Sequence, residues 1–121
     1  MTLGIELYKL LKDFPKYEQY ALCDQMRRCL ISIPSNIAEG HARSSQKEFL
    51  NFLSISRGSL AELQTQIQFA IELEYIDRQF GENIKCQLSG VDIMIVKLME
   101  NLKKNSGFLN SMKSLLLSLL P

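Results

Sequence analysis

Apolar residues recur along this chain at steps of three and four, the spacing of a helix that buries one face against a core. Four segments carry it. Leu3, Leu7, Leu10 and Phe14 form the first, which stops at Pro15 because a proline ring disfavours a helical residue before it. Leu22, Met26, Leu30, Ile33 and Ile37 form the second, which contains Pro34 and ends near Gly40, a residue suited to a left-handed C-terminal cap. Pro34 removes the hydrogen bond to the Leu30 carbonyl, a loss of about 3 kcal/mol in an isolated helix. The stripe resumes beyond it, so a kinked helix with compensating packing is expected rather than a break.

The third segment has the sharpest start, because Ser45 and Glu48 match a capping box, in which each side chain satisfies a backbone N–H at the other's position. Phe49, Leu53, Ser56, Leu60, Leu63, Ile67 and Ala70 then alternate steps of four and three, with Phe52, Ile71 and Leu73 widening the face. A helix of about 28 residues, roughly 42 Å long, is implied. Asp77 is the expected N-cap of the fourth, where Ile84, Leu88, Val91, Ile95, Leu98 and Leu102 repeat the spacing. Long stripes joined by short connections predict an all-α, antiparallel up-down four-helix bundle with crossing angles near about 20°. Residues 1–107 would form it. Residues 108–121, with Leu109, Met112, Leu116 and Leu119 at helical spacing, read as a further amphipathic helix that packs on the open end of the core or on another subunit. Binding to a membrane surface is the other reading, for which a single lysine is weak support.

Composition narrows the class of function. The chain has 121 residues, a length for one domain, with three Pro, six Gly and no Trp, which argues against a turn-rich β fold or a disordered chain. Fourteen Lys and Arg against thirteen Asp and Glu leave a net charge of +1, so any nucleic-acid site must be a local patch. Three cysteines cannot all pair, and their spacing is not that of a zinc site; Cys23 and Cys29 lie about 9 Å apart along one helix. A reducing cytoplasmic setting is expected. The start of the chain lacks a basic signal region, and the most apolar stretch, Phe108 to Leu120, is shorter than a membrane span.

The residues that do chemistry are not assembled into any catalytic pattern. His41 is the only histidine, placed in the turn between the second and third helices, and Glu39 two positions earlier points elsewhere, so no metal-binding pair arises. No phosphate loop, nucleophile elbow or CxxC motif occurs. No catalytic residue, metal or cofactor is therefore assigned, and an enzyme is not expected.

Polar groups around Pro34 are the exception. Arg27, Arg28, Ser35, Asn36, Glu39 and Arg43 crowd a stretch otherwise rich in core residues. In one reading they are structural: Ser35 and Asn36 bond backbone groups loosened by Pro34, and Glu39 pairs with Arg43 across one turn. In the other they bind an anion. Residues 27–57 hold Arg27, Arg28, Arg43, Lys47 and Arg57 against Glu39 and Glu48, a local balance of +3, and Arg43 and Lys47 flank a helix N-terminus that favours phosphate. Glu48 competes for that position. With no aromatic residue expected beside these charges, contact with an RNA backbone would carry little base specificity.

The string Gln25-Met-Arg-Arg28, then Ser32-Ile-Pro-Ser-Asn-Ile-Ala-Glu-Gly40, then Arg43 and Lys47-Glu-Phe49, resembles the four-helix-bundle proteins encoded in bacterial 23S rRNA intervening sequences. The similarity continues through Gly58-Ser-Leu-Ala-Glu-Leu-Gln-Thr-Gln66 and Leu73-Glu-Tyr-Ile-Asp77 and covers approximately residues 5 to 103. It implies a left-handed bundle, assembly as a homopentamer shaped like an open barrel, and no established catalysis. A related branch is similar to the accessory subunit of diversity-generating retroelements, a basic barrel that binds RNA and a reverse transcriptase. Carried over by position, Arg27 and Arg28 match the family's basic pair, Pro34, Ser35, Asn36 and Glu39 its polar kink, and Arg43 and Lys47 its basic positions beyond. Relatives generally begin with a longer first helix, often containing Trp, so the segment from Phe108 onward is expected to cover apolar surface left bare or to serve assembly. The combined reading is a cytoplasmic, non-catalytic homo-oligomer associated with RNA or a ribonucleoprotein; an oligomeric protein-binding scaffold is the alternative.

Overall fold

The computed structural model describes residues 2–104 and 115–119. Among them lie four α-helices and no strand: α1 (Thr2–Leu10), α2 (Leu22–Ala42), α3 (Gln46–Glu72) and α4 (Arg78–Lys104). Two 3-10 turns, Leu11–Asp13 and Lys16–Glu18, join α1 to α2. Residues 115–119 are helical as well. The all-α bundle expected from the spacing is the fold observed.

Chain direction follows from which residues meet. Between α2 and α3, Cys29 bonds Glu62, Ser32 bonds Ser59, Ser56 donates to the Ile33 carbonyl, and Gly40 faces Phe49. The partners' numbers sum to nearly the same value, which is the mark of antiparallel helices. The same holds between α3 and α4, where Arg57 meets Asp92, Gln64 meets Ser89 and Lys85 meets Gln68. Leu3 on α1 shares a cavity with Val91 and Met94 on α4, which brings the first helix beside the last.

The buried seams are those of the sequence stripes. Phe49, Leu53, Ser56, Leu60, Leu63, Ile67 and Ala70 are buried on α3, and Ile84, Leu88, Val91, Ile95, Leu98 and Leu102 on α4. Both starts carry a side-chain cap: Ser45 Oγ accepts the Glu48 N–H at 3.3 Å, one half of the expected capping box, and Asp77 Oδ2 accepts the Phe80 N–H at 3.1 Å. At the end of α3 the Tyr75 N–H bonds the Ala70 carbonyl and the Glu74 N–H bonds that of Ile71, a Schellman closure that places Glu74 at φ 62°.

Three expectations need correction. In the first segment Leu11, not Leu10, is the fully buried residue, because the chain tightens from α-helix to 3-10 geometry there and advances more degrees per residue. Gly40 does not cap α2. The helix runs on to Ala42, no glycine among the described residues has positive φ, and Arg43 leaves the helix in extended backbone at φ −76°. Gly40 is there for proximity: a Cβ on it would stand 2.8 Å from both Phe49 Cδ1 and Phe52 Cβ. His41 consequently sits in the last turn of α2 and not in the connection, its ring edge-on to Phe49 with 6.3 Å between centroids.

The supposed division at residue 107 lies outside the described residues. Within the described part of that segment, Leu116 is 1% exposed and joins the core, while Ser118 and Leu119 line the cavity shared by Thr2, Leu3 and Met94. This short helix packs on its own chain.

Candidate nucleic-acid interface

Pro34 lies inside α2, which continues through it. The packing that offsets its missing N–H comes from small polar residues. Asn36 Nδ2 donates to the Ser32 carbonyl at 2.8 Å and to Ser32 Oγ at 2.9 Å, and Ser32 Oγ lies 2.9 Å from Ser59 Oγ. Fully buried Ser56 donates to the Ile33 carbonyl, immediately before the proline, at 2.9 Å. Asn36 thus bonds within its own helix, to Ser32 and not to the Leu30 carbonyl that Pro34 leaves without its usual donor. Ser35 takes no part in these bonds, since it is exposed on the other side of α2, lining a groove with Ile5, Tyr8 and Ile31. Glu39 pairs with Arg43 one turn on, as the spacing implied.

The basic residues do not converge. Arg27 and Arg43 are separated by about 24 Å along the axis of α2, so neighbours in sequence density are not neighbours in space. Most are also committed. Arg27 Nη2 donates to Gln19 Oε1 at 2.6 Å, with its guanidinium 5.9 Å from the centre of the Tyr8 ring. Arg28 pairs with Asp24 at 3.4 Å, and Arg57 makes a two-point contact with Asp92 at 2.8 and 3.2 Å that raises its pKa further. Two of those acids lie outside the stretch whose charge was counted, so antiparallel packing and helix turns absorb much of the +3.

Arg43 and Lys47 stay together at the turn into α3. Arg43 lies over Phe52, 5.3 Å from the ring centre, contrary to the expectation that no aromatic group accompanies these charges. Phe52 arrives one and a half turns into α3 and reaches back beneath the turn. Lys47 is exposed and has no partner among the described residues. Sequence inspection also missed a second pair of cations. The register set by Arg57 and Asp92 places Lys103 and Lys104, the basic last turn of α4, level with Lys47. They are distant in sequence, and the clue was available: basic residues closing a helix that must run antiparallel to α3.

This end of the bundle offers the exposed cations Lys47, Lys103 and Lys104 beside the N-terminus of α3. Cys29, the one thiol hydrogen-bonded to a carboxylate, is poorly suited to be a nucleophile, since burial and the bond to Glu62 push it up to about 11. No cluster of three or more His, Cys, Asp or Glu that could hold a metal occurs among the described residues. No described helix is long and apolar enough to cross a membrane. The family model described as 23S rRNA-intervening sequence protein matches residues 1–97. No curated protein matches the chain.

Proposed function

The chain belongs to the 23S rRNA-intervening sequence protein family, and from that premise we propose that it is a non-catalytic, cytoplasmic, homo-oligomeric bundle that associates with RNA or a ribonucleoprotein. Its contact is electrostatic. Lys47, with Arg43 beside it and Lys103 and Lys104 level with it on α4, supports the reading best, because an exposed cation at a helix N-terminus is free to meet a phosphate. Arg27, Arg28 and Arg57 contribute less, being held by Gln19, Asp24 and Asp92. A modest patch on each copy gains strength by repetition around a pentameric ring, where several weak contacts engage one polyanion together.

Binding of structured rRNA fragments should weaken linearly with salt on logarithmic axes, each neutralised phosphate contributing roughly 0.7 to 0.9 to the slope. Replacing Lys47 by Ala is expected to flatten the slope by about one such contact per bound copy. A salt slope that Lys47→Ala leaves unmoved, or association that survives ribonuclease, would set this reading aside in favour of a protein scaffold.

A further inference from the structure

Helix α3 carries a second stripe, opposite the buried one. Ile55, Gly58, Glu62, Thr65, Phe69 and Leu73 step by three and four along its outer face. Ile55, Phe69 and Leu73 are 51%, 59% and 48% exposed, and a Cβ added at Gly58 would meet no atom within 4 Å. An exposed glycine amid a long helix costs about 1 kcal/mol relative to alanine without packing against anything in its own chain.

Beside this stripe runs a groove between α2 and α3, with Leu22, Phe69 and Leu73 as its apolar floor and Glu18 and Gln66 along it. Glu62 and Arg28 line its continuation. Gln66 is nine-tenths buried, and its Oε1, closed off from solvent, has no hydrogen-bond partner among the described residues. A buried acceptor left without a donor is costly. Glu18 and Glu62 are in no ion pair among the described residues, whereas Arg28 is already paired with Asp24. Two carboxylates, Glu18 holding the Tyr75 hydroxyl and Glu62 holding the Cys29 thiol, therefore border an apolar shelf, and among the described residues the cation that lines it, Arg28, is already paired. That field repels a phosphate backbone and suits a donor.

We propose that this groove docks a basic amphipathic helix from a protein partner, its apolar face on Phe69, Leu73 and Leu22, Arg or Lys side chains reaching Glu62 and Glu18, and its backbone passing close to Gly58. The surface is distinct from the cationic end around Lys47, so the two contacts can be lost separately.

The test uses the full chain and a fluorescently labelled synthetic amphipathic helix of leucine and arginine, with a twin in which every arginine is glutamate. Fluorescence anisotropy should show saturable binding of the arginine peptide and none of its twin. Phe69→Asp should weaken binding by about tenfold or more. Glu62→Arg should weaken the arginine peptide and gain affinity for the glutamate one. Circular dichroism and the mass by light scattering should be unchanged in both variants. Equal binding of the two peptides, binding by neither, or indifference to both substitutions would overturn the proposal. So would a fall in mass on Phe69→Asp, which would assign the face to contact between copies of this chain.

Discussion

Gly40 shows how much one missing methyl group decides. Its α-carbon lies against the first turns of α3, with Phe49 and Phe52 occupying the volume a side chain would need. Both rings are anchored on α3 and cannot both withdraw, so Gly40→Ala is expected to destabilise the bundle by about 1 to 3 kcal/mol, measured by urea denaturation. Cys29 gives a titratable counterpart. Burial first, and its bond to Glu62 second, lift the thiol from an ordinary 9.0 to about 11, so the folded protein favours the neutral form. The stability this contributes is complete below pH 9 and is lost as pH rises towards 11, because only the unfolded chain ionises readily in that window. Cys29→Ala should flatten the fall in stability between those values. Gly40 stood out in the sequence only as a helix terminator, since a glycine required for close approach and one required for a left-handed cap look identical before the partner helix is placed. The Glu39–Arg43 pair was legible because its partners lie within four residues.

Among the elements, α3 and α4 could be read from spacing alone. Each has a side-chain cap at its start and a buried stripe whose period exceeds any local disturbance. The first helix could not be read to the residue, because a 3-10 turn shifts the stripe from Leu10 to Leu11 and no spacing rule announces such a change. The close of α3 was hidden for another reason: a Schellman turn normally uses glycine, and here a glutamate holds the left-handed position at φ 62°. A side chain with a Cβ pays for that conformation, while glycine does not. Glu74→Gly is therefore expected to stabilise the protein by about 0.5 to 1 kcal/mol, seen as a rise in the urea midpoint with an unchanged slope. The candidate RNA-facing residues were legible one by one and misleading as a group. Their density along the chain hid the fact that Arg27 belongs to one end of α2 and Arg43 to the other, and that Asp24 and Asp92 complete pairs from outside the counted stretch.

At the scale of the molecule, the far end of the chain is held by Leu116, which enters the core beside the start of α1. Leu116→Ala should cost about 2 to 5 kcal/mol in thermal or chemical unfolding, a loss too large for a side chain resting on the surface. Lys47 near one end and the groove beside Glu18 and Glu62 towards the other also separate at this scale, so the two contacts proposed above need not compete. The three residues between α2 and α3 have a last consequence, one of time rather than affinity. So tight a hinge lets the two rods find each other after closing only a small loop, whereas α1 must wait for α4 to return across most of the polypeptide. Assembly should begin at that hairpin and end where the first and last segments meet, which leaves the late-closing edge as the place where the bundle opens first.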